Sequence, residues 1–161
     1  MCSYCGCDSI EVIGRFMAEH VEIINATGDL RRAVVAGDPA EVATRRDQVA
    51  ALLWPHTQAE EVGLFRVMAR EEEFTEHIDT LCAEHKTLDQ YLLEVLPADT
   101  ASMARFEDAL REHIHKEDNG LFPAAAIALG GDDWVEVHAT TPHAHAPGEP
   151  LHTHGPGDHQ H

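Results

Sequence analysis

Two stretches of the chain carry one chemical pattern: HTQAEEVGLF from His56 to Phe65, and HIHKEDNGLF from His113 to Phe122. Each places a histidine four residues before a glutamate, His56 with Glu60 and His113 with Glu117, and each ends in Gly-Leu-Phe. On a helix, residues four apart lie on one face a turn apart, so each copy aims an imidazole and a carboxylate the same way. A second repeat accompanies the first, since Glu19-His20 is echoed by Glu84-His85. Each half of the chain therefore offers a lone histidine and then a His-x-x-x-Glu pair. Imidazole serves iron, zinc and copper, while carboxylates favour harder ions and can bridge two metals. Four histidines and two glutamates suit a binuclear site with two terminal imidazoles per metal and two bridging carboxylates. Positions left open would admit a small exogenous molecule. Two zinc ions fit the same atoms, but a hydrolytic site also wants a general base, and no dedicated candidate stands out. Oxygen chemistry at two irons is the more economical reading.

Elements able to position these groups are legible in the apolar spacing. Four long helices are expected, over about residues 8–35, 39–69, 73–95 and 100–129. Asp8 or Ser9 can cap the first, and Gly37-Asp38-Pro39 supplies a stop, a cap and a proline at the first helical position. Pro55 predicts a kink in the second helix. Pro97 stops the third, Asp99 or Thr100 starts the fourth, Asn119-Gly120 and Pro123 should bend it late, and Gly130-Gly131 should end it. No strand pattern occurs. The short connections predict an all-α, up-down-up-down antiparallel four-helix bundle. In such a bundle the candidates share a height. At 1.5 Å per residue, His20 and His85 lie roughly 18 Å from one end, His56 roughly 21 Å, and His113 and Glu117 roughly 24 and 18 Å.

The chain of 161 residues suits one domain, and its 43% hydrophobic and 25% charged content is ordinary for a globular protein. Its formal charge of −18 argues against nucleic acid and anionic membrane surfaces as partners. No basic and apolar leader opens the sequence and no apolar run spans a bilayer, so a cytoplasmic location is expected. Three organisational parts emerge: a Cys-rich arm (1–7), the bundle (8–136) and a His/Pro/Gly-rich tail (137–161) expected to be disordered. Seven of the 13 histidines fall in that tail. Cys2, Cys5 and Cys7 are spaced for metal or redox chemistry rather than a disulfide framework, and a tail imidazole can complete a zinc or copper site there.

The series His20, His56-x-x-x-Glu60, His85, His113-x-x-x-Glu117, with Gly-Leu-Phe-Pro after the last pair, resembles the hemerythrin-like, HHE cation-binding domain over roughly residues 8–130. That resemblance implies a left-handed four-helix bundle around an oxo- or hydroxo-bridged di-iron centre. Family members bind oxygen, sense oxygen or iron, or handle peroxide and nitric oxide. By this likeness His20 and His56 hold one iron, His85 and His113 the other, and Glu60 and Glu117 bridge. Two departures from the oxygen carriers stand out. Leu81 occupies the place, one turn before His85, where carriers have a further histidine, and the last pair closes at Glu117 rather than at the Asp118 spacing. One metal is thereby more open, which favours redox turnover, with peroxide decomposition included, over reversible oxygen carriage. The alternative is an iron or oxygen sensor without turnover. Dioxygen, peroxide or nitric oxide is the expected small-molecule partner.

Neighbouring polar residues receive plainer readings. Glu61 and Asp118 sit about 100° around the helix from their partners and are expected to be solvated. Glu19 and Glu84 are read either as acceptors for imidazole N–H groups or as solvated faces. His77 and His115 are expected away from the centre, Tyr91 and Trp54 near it or in the core, and Cys82 as a small buried hydrophobe. Glu112-x-x-His115 has ferritin-type spacing but occurs once where that fold needs it twice.

Overall fold

The computed structural model describes residues 10–143. Helix α1 (Glu11–Ala36) leads through Gly37 into α2 (Pro39–Glu60), which continues in a π-helical turn (Glu61–Phe65) and a short last segment (Arg66–Met68). Helix α3 (Glu72–Leu93) follows. Then comes α4 (Thr100–Lys116), which likewise passes through a π-helical turn (Glu117–Leu121) into Phe122–Ala128, and last α5 (Gly131–Thr140). Among the described residues there is no strand, and no helix is long and apolar enough to cross a membrane. The four long helices close a ring of contacts: α1 with α2, α2 with α3, α3 with α4, and α4 with α1.

Local chemistry explains the boundaries. Gly37 adopts φ +70°, the left-handed conformation that ends α1 without a Cβ penalty. Asp38 Oδ1 then accepts from the backbone N–H of Ala40 at 3.1 Å and Glu41 at 3.3 Å, and Pro39 opens α2 where no amide donor is needed. Asp99 caps α4 in the same way, accepting from Ser102 N at 3.0 Å. The proposed caps Asp8 and Ser9 lie outside the described residues. Helical structure runs through Pro55 without a break. Where a late bend was expected in the fourth helix, the chain takes the second π-helical turn and stays helical. Pro123 falls in the first turn of the segment beyond it, where its missing N–H costs little.

Two apolar clusters fill the bundle and leave a slab between them. One gathers Ile13, Phe16, Leu64, Phe65, Leu81 and Phe122 with their neighbours, and the other Ile23, Leu30, Leu53, Leu88, Phe106 and Leu110 with theirs. Each long helix passes from one cluster to the other, and each carries one buried histidine at the crossing: His20, His56, His85 and His113.

The Gly130-Gly131 pair is a joint rather than an end. Gly130 N donates to Asp133 Oδ2 at 3.1 Å, and α5 begins there. The expected boundary of the tail at Val137 falls inside this helix, where Val137 is fully buried in the cluster that holds Phe65. Spacing alone missed α5 because ten residues with two apolar anchors, Trp134 and Val137, give a weak helical pattern. Helix α5 lies against the first π-helical turn and the Arg66–Met68 segment, and its Glu136 pairs with Arg66 and Arg70.

The two repeat glycines consequently differ. A Cβ on Gly63 would collide with Thr141 Oγ1 and lie 3.2 Å from Thr141 Cβ, whereas one on Gly120 meets nothing within 4 Å. Gly63→Ala should therefore lower stability by about 1–3 kcal/mol through overpacking, while Gly120→Ala leaves it unchanged or raises it by up to about 1 kcal/mol. Urea midpoints of the two variants check this, and equal shifts would contradict the seating of Thr141 on Gly63.

Candidate metal centre

All six residues expected from the sequence meet in the slab, and none is more than 4% exposed. Ligand atoms of His20, His56, Glu60 and Glu117 lie within 4.8 Å of one another, as do those of Glu60, His85, His113 and Glu117. The two groups share both glutamates. Glu60 Oε1 stands 3.1 Å from His56 Nε2 and 3.4 Å from His85 Nε2. Glu117 Oε1 stands 2.9 Å from His113 Nε2 and 3.3 Å from His20 Nε2. Each carboxylate thus reaches one imidazole of each group.

Outside this inner set runs a second carboxylate layer with a constant direction around the bundle. Glu19 on α1 meets His56 Nδ1 on α2 at 2.8 Å. Glu61, in the turn after α2, faces His85 Nδ1 on α3 at 3.4 Å. Glu84 on α3 meets His113 Nδ1 on α4 at 2.9 Å, and Asp118, in the turn after α4, meets His20 Nδ1 on α1 at 2.8 Å. Three of these contacts are hydrogen bonds that orient the histidine of the next helix, while Glu61 faces His85 without bonding to it. Phenylalanines follow the same rule, with Phe65 stacked on His85 at 5.5 Å and Phe122 on His20 at 5.8 Å. Arg15 and Lys116 anchor the ring from outside, through Glu19 and Glu84 respectively.

With Nδ1 turned outward, each imidazole presents Nε2 to the interior. The Nε2 atoms of all four histidines and both carboxylate oxygens of Glu60 and Glu117 are buried without a hydrogen-bond partner. Polar atoms in that state are costly unless something pairs with them. Four nitrogens and four carboxylate oxygens converging in this way are a set of atoms that could hold metal cations, and the outer carboxylates resemble the partners that metal-bound imidazoles take. The residues present fit a binuclear metal group.

Protons reveal the same field. Burial pushes His56 toward neutrality, but the Glu60 charge and the bonds to Glu19 and Glu60 outweigh it and raise its pKa to about 10. Burial likewise opposes protonation of His113, and its contact with Glu117 overrides this to give about 9. His20 is raised against burial by Asp118 and Glu117. Glu60, which burial alone would neutralise, is held well below the usual carboxylate range by His56 and its other contacts.

Several plainer expectations are now resolved. Asp118, expected in solvent, holds His20, and Glu61, though 39% exposed, faces His85. The repeat contained the signal, since an acidic residue follows the inward glutamate in both copies; its aim depended on the neighbouring helix. Glu19 and Glu84 act as imidazole acceptors. His77 and His115 are exposed. Trp54 is 48% exposed and Tyr91 packs on the cluster that holds Leu88 and Phe106, so neither lines the centre. Cys82 is half-buried against the cluster that holds Phe65 and Leu81, and burial with the nearby Glu61 pushes its thiol up to about 12. The Cys2, Cys5 and Cys7 cluster lies outside the described residues, as does the tail beyond His143.

The sequence profile of the Hemerythrin HHE cation binding domain matches residues 11–125, a span that contains all six inward residues and both π-helical turns. No match was found among curated proteins or among solved structures.

Two outcomes follow from the geometry. Metal uptake near neutral pH should release protons, because His56 and His113 are protonated in the metal-free protein. The sign for stability is fixed by the same shifts. Their contribution is complete below the ordinary histidine value of 6.5 and is lost as pH rises through about 9 to 10. Metal-free protein should lose thermal stability over that window and metal-loaded protein should not; parallel melting curves across the window would contradict the assignment. Glu19→Gln and Glu84→Gln should weaken metal retention by about 10–100-fold while leaving helicity intact. Chelator competition measures this, and wild-type retention in both would remove the outer ring from the binding machinery.

Proposed function

The chain belongs to the hemerythrin HHE cation-binding domain family, and on that premise we propose that it is a non-haem di-iron protein acting on dioxygen, peroxide or nitric oxide. His20 and His56 hold one iron, His85 and His113 the other, and Glu60 and Glu117 bridge them. The observation that carries this reading is the shared contact of each carboxylate with one imidazole of each group, at 2.9–3.4 Å. Up-down-up-down order of the four long helices belongs to the same reading.

Iron is favoured over zinc by what surrounds the ligands. Glu19, Glu84 and Asp118 are committed to imidazole Nδ1 atoms, and Glu61 lies on the outer, Nδ1 side of His85, so no carboxylate besides the two inward glutamates faces the interior as the base a hydrolytic zinc site would use. When bound, the irons would supply electron exchange with a small oxygen- or nitrogen-containing molecule. The chain's own residues do the rest. Outer carboxylates hold the rings of His20, His56 and His113, apolar clusters flank the slab on both sides, and the six inward residues are at most 4% exposed, which keeps bulk water from them. Leu81, fully buried next to the slab, presents a methyl-bearing side chain where the oxygen carriers present an imidazole. An iron so left with one protein ligand fewer suits peroxide turnover better than reversible carriage. A cytoplasmic setting, where iron and reductants are at hand, completes the proposal.

Metal analysis with an optical spectrum is the direct test. Protein purified without added metal should contain about two irons per chain, by the count of inward donors, and show near-ultraviolet charge-transfer bands. Zinc in the centre without such bands would overturn the redox reading. His85→Ala and Glu60→Ala should each lose most of the iron and the bands; full retention in both would overturn the ligand set. Iron-loaded protein should consume hydrogen peroxide and His85→Ala should not. A large iron-dependent rise in melting temperature with negligible peroxide consumption would instead favour a sensor.

A further inference from the structure

The six inward residues are at most 4% exposed, so an ion bound for the centre needs a way between the helices. A cleft of about 120 Å³ lies in the seam between α3 and α4 and reaches one of the six. Glu84 and Leu88 line it on the α3 side, and Ala109, Glu112, His113 and Lys116 on the α4 side. His113 stands between cleft and centre. Its Nδ1 meets Glu84 at 2.9 Å, and its Nε2, without a hydrogen-bond partner, lies 2.9 Å from Glu117 Oε1. Toward solvent, the Lys116 ammonium sits 2.5 Å from Glu84 Oε2 and 3.7 Å from Glu112 Oε1. A cation of the protein's own thus occupies the gap between two carboxylates at the mouth.

The repeated half of the chain lacks these features. Setting Glu19-His20 against Glu84-His85, and His56 against His113, places Leu52 opposite Ala109, Pro55 opposite Glu112 and Ala59 opposite Lys116. The seam between α1 and α2 therefore has a larger side chain where the α3–α4 seam has a methyl group, and no charge where that seam has a carboxylate and an ammonium. Its own outer cation, Arg15, is tied to Glu19 within α1 and to the backbone carbonyl of Pro142. Two carboxylates beside one ammonium, on a chain of formal charge −18, draw cations and repel anions. At equal distance a divalent ion is attracted to that pair with twice the Coulomb energy of an ammonium. We propose that the α3–α4 cleft is the route by which divalent metal ions enter and leave the bundle centre, with Lys116 as its latch. The arriving ion takes the place of the ammonium between Glu84 and Glu112, and His113 is the first ligand it meets. No electron moves. The route rests on the bundle centre holding metal, and it is independent of which reaction the metal serves.

Cobalt(II) uptake by the metal-free, full-length chain, followed by stopped-flow absorption, is the probe. Only bands that a Glu60→Ala/Glu117→Ala double variant lacks are followed, so ions held elsewhere on the chain do not enter the rate. Ala109→Leu gives the cleft the residue that the other seam has at Leu52. It should slow uptake by about tenfold or more, the lower end of what a charged cleft adds to an on-rate. Release to a chelator should slow by the same factor, with equilibrium affinity and circular dichroism at wild-type values, because a blocked path raises one barrier for both directions. Damage to the ligands would instead weaken affinity and quicken release. Glu112→Lys, at a side chain 72% exposed, reverses a charge at the mouth without disturbing packing. It should slow uptake by about tenfold in dilute buffer, and the deficit should shrink at about 1 M salt, where charges are screened within roughly 3 Å. Wild-type uptake in both variants, or slower uptake in Ala109→Leu matched by weaker affinity, would overturn the route. Absence of the followed bands in wild type would overturn the metal centre itself, and the route with it.

Discussion

Two buried carboxylates and four buried imidazole nitrogens, facing one another without hydrogen-bond partners, are the constraint around which this bundle is organised. Removing such groups from water costs on the order of several kcal/mol for each ion. An apolar bundle would not carry that cost at its centre without a compensating charge. Bound cations would meet the requirement, and without them the surrounding carboxylates favour protonated imidazoles, raising His56 and His113. The apolar clusters above and below are therefore more than filler. They keep the dielectric low, which strengthens the attraction between ligands and a bound charge and penalises every arrangement in which that charge is missing.

Orientation of the rings is distributed evenly over the helices. At Nδ1 each histidine meets an acidic residue from the helix before it, hydrogen-bonded at His20, His56 and His113 and only facing at His85, and the circuit closes from α4 back to α1. Loss of one helix would leave a misoriented ligand on its neighbour as well as a missing ligand of its own. Binding and folding are coupled through this dependence, because the donor set exists only when all four helices are in register. The π-helical turns belong to the same device. Each begins at or next to the inward glutamate, and the acidic residue beside that glutamate reaches the neighbouring histidine while the phenylalanine that ends the repeat stacks on the same ring. Turns of this type are rare in helices and concentrate at functional sites.

Pseudo-symmetry of the halves breaks in two further places. Glu61 stands farther from His85 than its counterparts stand from their rings, and Leu81 packs one turn away from the same histidine. The ring of His85 is thus the least tightly held of the four, which supports the proposal that its half of the centre is the more open. The other break is α5, which covers the first π-helical turn at Gly63 and leaves Gly120 bare. Chemistry and covering helix therefore distinguish two halves that share a sequence pattern.

The repeat, the helical periodicity and the glycine and proline punctuation were sufficient by themselves to determine four long helices, their joints at Gly37-Asp38 and Pro97–Asp99, and the six inward residues. The reason is that these features are local: a spacing of four fixes a shared face, and a left-handed glycine ends a helix whatever surrounds it. Tertiary structure decided what depends on a second element. Glu61 and Asp118 look solvated on their own helices and become ring partners only because α3 and α1 pass beside them. Glu19 and Glu84 had two equal readings until α2 and α4 brought their histidines within reach. Helix α5 carries too few apolar residues to announce itself, and it forms where Trp134 and Val137 find the cluster under the first repeat. A residue's aim can be read from its own helix, but its partner is set by the packing of helices distant in sequence.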